Sequence, residues 1–404
     1  MEVILIGMGP GPGCLTLQAQ QALERADCLI GSRRLLEECP LPGEVHRFPS
    51  TRPGEMVEHL RRHAFRAPCV LFSGDTGFHS GAAPLLPLLK EAGFTWRLIP
   101  GVSSPQYLAA LLGRSWQDWS LVSAHAAPVD PVGAVLEAQG RPVCFLTSGK
   151  AGAGALCALL AKAGLGHLKA TVGESLGYPE EQVEEFTVSQ LAGEERSPLT
   201  VLLVEGYRPP RPLRAPGLED EVFLRGEVPM TKQEVRAAAL AKLAPAPRGV
   251  YWDVGAGTGS VAVELALLSP GGQVWAVERG AEGCQLIRAN RERFGAYNLR
   301  LVQGTAPLAL QELPAPDGVF VGGSGGELEA ILQCAIAKNP AARLCVTAIA
   351  PETLAAAISA MKELGLTPQV TQIIAARSRK AGALHLMMGQ NPVWIITGGG
   401  KETP

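Results

Sequence analysis

Short apolar runs alternate with glycine-rich turns and amphipathic segments along all 404 residues. In the first half, apolar runs at 3–6, 27–31 and 67–72, and one entering the turn at 98–104, read as buried strands. Further strands are expected at 119–122, 142–146, 169–172, 182–188 and 199–204. The pattern at 19–26 is helical, with Thr16 placed to cap it. Glu184-Glu185 and Thr187-Val188 alternate in a way that suits antiparallel pairing, so a second sheet region should follow the first. These two lobes, about 1–115 and 116–207, form one expected domain. Arg208-Pro209-Pro210-Arg211-Pro212-Leu213-Arg214-Ala215-Pro216 reads as a stiff polar linker within 208–218.

From 219 to 404 the period changes. Strands are expected at 250–254, 273–278, 299–303, 317–321, 343–347 and 370–376, with helices between them and a terminal pair near 383–389 and 392–397. Thr231 and Glu234 have capping-box spacing for a helix over 232–243. Alternating strands and helices with a β-rich end predict an α/β domain with a mostly parallel sheet of seven to eight strands.

The densest glycine turn is Asp253-Val254-Gly255-Ala256-Gly257-Thr258-Gly259-Ser260, between an apolar run and a helical pattern. Strand, tight turn and helix open a nucleotide-binding unit, with free N–H groups and a positive dipole end at the helix start. A dinucleotide wants G-x-G-x-x-G, but here the third glycine comes one residue early. That spacing, after Asp253, favours S-adenosylmethionine, while an NAD-dependent oxidoreductase stays open. Glu278, at the end of the next strand, could accept both ribose hydroxyls of either cofactor. Gly304-Thr305-Ala306-Pro307 would face the adenine. Gly322-Gly323-Ser324-Gly325-Gly326 leaves room for a large flat substrate.

In the first half, Gly7-Met8-Gly9-Pro10-Gly11, Ser73-Gly74-Asp75-Thr76-Gly77-Phe78 and Pro100-Gly101-Val102-Ser103-Ser104 follow three apolar strands. Such loops gather at one edge of an open α/β sheet. None is a P-loop, because no Gly-Lys-Ser/Thr follows. His59 and His63 lack an HExxH glutamate and read as a solvated basic face rather than a metal pair. His125 reads equally as a substrate contact or a structural histidine. Arg33-Arg34, Arg52, Arg61-Arg62 and Arg377-Ser378-Arg379-Lys380 are basic clusters that a polycarboxylate ligand would want, although solvated surface is the ordinary fate of such groups.

Composition narrows the picture. Apolar residues at 47% and charged residues at 18% describe a soluble globular chain. A net charge of −2 and a pI near 6.4 give no support to nucleic acid or a membrane surface as partner. There is no apolar run of membrane-spanning length and no signal-peptide pattern, so a cytoplasmic location is expected. Nine singly placed cysteines suggest reduced thiols, with neither a metal cluster nor a disulfide framework. Without a nucleophile triad or zinc spacing, the chemistry should rest on a cofactor and on positioning.

The three loops of the first half, with Leu15-Thr16, resemble the tetrapyrrole (corrin/porphyrin) methylases. The second half resembles the decarboxylating corrin methyltransferases of the Rossmann-like class I S-adenosylmethionine fold, through Pro229-Met230-Thr231-Lys232, the 253–260 turn, Glu278, 304–307 and Phe320 to Gly326. The resemblance implies a fused enzyme of vitamin B12 synthesis. It would methylate a reduced tetrapyrrole, a precorrin or its cobalt form, at carbons 5 and 15 and decarboxylate the ring C acetate. The first half would serve carbon 5; the second would serve carbon 15 and the decarboxylation. It implies S-adenosylmethionine held by Pro10, Gly74, Asp75, Gly77, Phe78, Ser103, Ser104 and Thr147 in the first half. In the second half it implies Thr231, Gly255, Ala256, Gly257, Thr258, Gly259, Glu278 and Ala306. His125, Ser324, Arg377 and Arg379 are its substrate-contact candidates, and a homo-oligomer is implied. Two departures stand out: Ser123-Ala124-His125-Ala126 replaces the family's Ser-x-His-Gly, and Glu278 replaces a frequent Asp.

Overall fold

The computed structural model describes residues 1–39, 45–125, 128–147, 152–213 and 215–400; Ala126 and Arg214, named above, lie outside them. Its contacts separate two compact units. One holds Met1–Val129, Arg141–Lys162 and Gly166–Glu205, and the other holds Asp130–Gly140, Ala163–Leu165 and the chain from Gly206 onward.

The first unit contains two five-stranded sheets. The first is built from β1 (Glu2–Gly7), β2 (Cys28–Gly31), β3 (His46–Pro49), β4 (Pro68–Phe72) and β5 (Thr95–Ile99), in the order β3-β2-β4-β1-β5. All its pairings are parallel. Side chains alternate across a strand, so both faces must be apolar when both are covered. Ile4, Ile6, Leu29 and Leu71 pack in one core cluster, and Val3, Leu5, Ile30 and Val70 pack in another. Thr16 does cap the helix Leu17–Glu24, accepting from the Ala19 N–H. The second sheet holds β6 (Ser120–Ser123), β7 (Val143–Leu146), β8 (Lys169–Glu174), β9 (Gln182–Thr187) and β10 (Thr200–Val204), in the order β6-β7-β10-β8-β9. Only β6–β7 is parallel there, and β8–β9 is antiparallel as the alternation predicts. β3 was not expected, because His46-Arg47-Phe48-Pro49 has one apolar residue and ends in proline, which suits an edge.

The second unit is a seven-stranded, mostly parallel sheet. Its strands are β11 (Val250–Val254), β12 (Gln273–Glu278), β13 (Leu299–Gln303), β14 (Gly318–Val321), β15 (Arg343–Ala348) and β16 (Gln369–Ile373). β17 (Ala376–Ala381) and β18 (Leu384–Gly389) form a separate hairpin, and β19 (Val393–Gly399) completes the main sheet. The order is β13-β12-β11-β14-β15-β19-β16, with β19 antiparallel to both neighbours. Both strands of the predicted terminal pair are present, but they have different partners: 384–389 pairs with β17, while β19 enters the main sheet. Burial explains the split. Ile395 and Ile396 are fully buried, which needs covered faces, whereas every residue of β18 is exposed.

The capping box at 231–234 is also corrected. Lys232 is the N-cap of the helix Gln233–Leu243, and no side chain caps it. Glu234 instead takes two bonds from Arg377, from Nε at 2.8 Å and Nη2 at 2.7 Å. Charge-assisted bonds of this kind outweigh a neutral cap. Among the described residues, no helix is long and apolar enough to cross a membrane.

Candidate functional site

In the second unit, β11, β12 and β14 are adjacent and parallel, so the loops leaving them share one edge. The turn after β11 needs its glycines. Gly255 has φ +70°, and a Cβ there would lie 2.3 Å from the Gly323 carbonyl oxygen. The 255 and 323 loops can touch only because Gly255 is bare. Gly259, at φ +76°, begins the helix Ser260–Leu268 and packs against Ile287. Beside this turn lies a cavity of about 850 Å³. Thr231, Gly255, Ala256, Gly257, Glu278, Ala306, Ser324 and Arg377 all line it. Thr258 and Gly259 do not line it; they build the turn from behind, where the Thr258 carbonyl accepts from Asn290 Nδ2 at 2.9 Å. Arg379, on β17, is exposed and outside the cavity.

Two carboxylates face this cavity differently. Glu278 Oε2 accepts from the Gly257 N–H at 2.9 Å and Oε1 from the Gly280 N–H at 2.7 Å. That fixes the side chain and leaves lone pairs for hydroxyl donors. Asp253 is buried; its Oδ2 accepts from the Ala262 N–H at 2.9 Å, and its Oδ1 has no hydrogen-bond partner. Burial pushes its pKa up to about 7, the Ala262 N–H opposes this, and repulsion from Glu278 adds to it.

Arg377 was expected to meet substrate. It lines the cavity, but its guanidinium is committed to Glu234 and, at 2.8 Å, to Asp220 Oδ2. Those bonds, Glu234 first, push its pKa up against the effect of burial. Behind it sits a network that the sequence analysis passed over. Arg236, fully buried, bonds Glu264 at 2.6 Å and Asp220 at 3.2 Å. Glu264 also accepts from the Gly217 and Leu218 N–H groups, at 2.7 and 3.0 Å. One signal was visible: a lone carboxylate amid the apolar 261–268 run must have a buried partner. Lys232 and Arg279 are further cations on the cavity wall.

The first unit is arranged otherwise. β4, β1 and β5 are neighbours, so the three predicted loops do meet. They stitch directly to one another. Gly9 and Gly74 exchange two backbone bonds, at 3.1 and 2.9 Å. A Cβ on Gly101 would lie 2.3 Å from the Gly74 carbonyl oxygen. Asp75 accepts from Gly77 N–H at 2.8 Å and Gly101 N–H at 3.0 Å. Ser103 caps the helix Ser104–Leu111 in a capping box with Gln106. Thr147 is buried and donates to the Thr200 carbonyl at 2.7 Å. Phe78 packs half-buried against the core of the second sheet. Pro10 is half-buried, and His125 is exposed two residues beyond β6. A small cleft lined by Gly9, Gly11, Leu35, Glu38 and Tyr178 adjoins these loops. Arg34 bonds both Glu38 and Tyr178 there. Arg52 and Arg62 pair with Glu55 and Glu58 on the surface. His59 is not on a solvated face: it is half-buried, its ring stacked 3.9 Å from Phe48.

Comparison with known proteins assigns both halves. Residues 2–192 match the tetrapyrrole (corrin/porphyrin) methylases, and residues 221–398 match the precorrin methyltransferase domain. The chain is 32% identical to the precorrin-6Y C(5,15)-methyltransferase [decarboxylating] of a Sinorhizobium species, over 97% of this chain and 94% of that one. It is 47% identical to a probable cobalt-precorrin-6B C(15)-methyltransferase (decarboxylating) of Pyrobaculum calidifontis, over 46% of this chain and 97% of the relative. The Salmonella typhimurium cobalt-precorrin-6B C(15)-methyltransferase (decarboxylating) is 41% identical, over 44% and 94% respectively.

Proposed function

Since the chain belongs to the precorrin-6Y C5,15-methyltransferase (decarboxylating) family, we propose a division of its labour between the two units. The protein is an enzyme of cobalamin biosynthesis that methylates a precorrin at carbons 5 and 15 and removes a carboxyl group. The second unit serves carbon 15 and the decarboxylation, and the first serves carbon 5. The C(15)-specific, decarboxylating relatives match only one half of the chain, which supports this division.

The methyl donor is S-adenosylmethionine in both units. One observation carries this for the second: a cavity of about 850 Å³ lies at the edge of β11, β12 and β14, with Gly255, Gly257 and Glu278 on its wall. The residues fit the donor. Gly255 lets the backbone approach, the Glu278 carboxylate is held ready for ribose hydroxyls, and Asp253 Oδ1 is an acceptor without a partner. When bound, S-adenosylmethionine supplies an activated sulfonium methyl. The protein's own work is alignment and exclusion of water, worth several kcal/mol without a strong base. Gly323 and Ser324 leave a bare wall for a flat macrocycle, and Lys232 and Arg279 are placed for its carboxylates. The conjugated ring of the substrate is the electron sink for decarboxylation. A cytoplasmic homo-oligomer completes the proposal.

The test counts products by mass. Wild-type enzyme should add two methyl groups and release carbon dioxide. Gly257→Arg, which fills the turn, should add one methyl and retain the carboxyl group. Two methyls and full carbon dioxide release from that variant would refute the assignment. Running the assay on precorrin with and without cobalt identifies the natural form.

A further inference from the structure

The sheet edge of the first unit carries a cluster with no role in the proposed chemistry. Cys28 on β2 and His46 on β3 are paired in register, so their side chains share a face. The helix Pro53–Arg62, which carries His59, packs against Cys28 through Met56, Val57 and Leu60. One ligand atom from each of Cys28, His46 and His59 lies within 4.8 Å of the others. His46 Nε2 and His59 Nε2 are only 3.0 Å apart. In a tetrahedral zinc centre with Zn–N about 2.0 Å and Zn–S about 2.3 Å, ligand nitrogens sit roughly 3.3 Å apart and sulfur roughly 3.6 Å from each. The imidazole nitrogens now share a hydrogen bond and lie slightly closer than that, so both rings must turn their lone pairs to the ion as the thiol moves in.

We propose that Cys28, His46 and His59 form a binding site for a zinc-like divalent cation, with one thiolate, two imidazoles and a water as ligands. The ion bonds to Cys28 Sγ and to both imidazole nitrogens, and the Cys28 proton leaves to solvent. The surroundings suit this. The His59 ring is stacked on Phe48 and flanked by Phe65, which limits its freedom. His46 is exposed and gives the ion a way in, while Cys28 is fully buried. The site would tie the edge strand β3 and the helix Pro53–Arg62 to β2. Cys28, His46 and His59 come from three separate segments, so no local motif announces them.

Cobalt(II) is the probe, because thiolate coordination gives it an intense near-ultraviolet charge-transfer band. The full chain, stripped with chelator, is titrated with cobalt(II) alone. We expect one equivalent per chain with that band, and no band in Cys28→Ser. His46→Ala removes an exposed ring and keeps the fold testable; its cobalt affinity should fall at least tenfold. Zinc should raise the Tm of the wild type and not that of His46→Ala. Failure to bind one equivalent, a band that survives Cys28→Ser, or unchanged affinity in His46→Ala would each overturn the site.

Discussion

Each unit carries an acid in or just before a glycine-rich turn where the strands of a parallel sheet end, and the two acids are used in opposite ways. Asp75 spends both oxygens on the N–H groups of Gly77 and Gly101. It fastens neighbouring loops, and the glycines around it let those loops touch. Asp253 spends one oxygen on Ala262 and leaves the other buried without a partner, on the wall of an open cavity. A buried polar group left unsatisfied costs free energy and calls for an explanation, and on a cavity wall a bound ligand or water supplies one. Identical-looking glycine turns can therefore be either closures between loops or cradles for a ligand. Which one a turn is depends on whether its polar atoms are already satisfied.

The largest expected effect breaks the cradle. Gly257 has φ +55°, and a Cβ would lie 2.9 Å from the Pro229 carbonyl oxygen. Gly257→Arg should eliminate one methylation together with carbon dioxide release and leave the other methylation intact. Gly101→Val is the matching change in the closure. It drives a side chain into the Gly74 carbonyl and should lower stability by several kcal/mol. Calorimetry would see this as a fall in Tm, whatever ligand is present. If Gly101→Val left Tm unchanged and removed only methyl transfer, the contrast between closure and cradle would fail.

Next comes the support behind the cradle. Removing one partner of a buried ion pair costs about 3–5 kcal/mol. Arg236→Met strands Glu264 and part of Asp220, so denaturant unfolding should show a loss of that order. The exposed pair Arg52–Glu55 in the other unit should matter by less than about 1 kcal/mol. A negligible effect for Arg236→Met would mean that backbone N–H groups alone sustain Glu264.

A smaller effect follows from Asp253 itself. Its pKa is about 7 in the folded chain against 3.8 for an ordinary aspartate carboxyl, so between these values the native state holds a proton that the unfolded state has lost. Below the lower value both states are protonated and nothing is gained or lost. As pH rises from about 4 to 7, stability falls, by on the order of a few kcal/mol. Asp253→Asn should flatten that slope. A pH profile of unfolding that is identical in variant and wild type would show that Asp253 is ionised in the fold.

Much of this was legible beforehand because it is local. The strand at 250–254, the turn after it and Glu278 at the end of the next strand lie on consecutive elements, and the period of apolar residues places them. The three loops of the first half were legible for the same reason. What stayed hidden depends on distant partners. Nothing near Arg377 in the chain says that Asp220 and Glu234 will claim it, and Asp220 is 157 residues away. β18 and β19 were legible as strands but their partners were not: β18 pairs with β17, and burial sends Ile395 and Ile396 of β19 into the main sheet. β3 escaped because its one apolar residue, Phe48, covers a histidine rather than joining an alternating pattern.

The smallest effect is the sharpest test of the comparison, because Ser103 could belong to either kind of turn. The resemblance makes it a cofactor contact. Its position makes it the N-cap of Ser104–Leu111, its hydroxyl accepting from the Gln106 N–H at 3.4 Å while Gln106 Oε1 takes the Ser103 N–H at 2.9 Å. A cap of this kind is worth about 1 kcal/mol, so Ser103→Ala should lower stability by that amount. Asparagine caps as well as serine but is larger, so Ser103→Asn should restore stability. Carbon-5 methylation then separates the roles. Recovery of both stability and methylation in Ser103→Asn means that the residue only closes the turn. Recovered stability with methylation still lost means that the hydroxyl meets the donor, and the first unit then has a cradle of its own inside its closure.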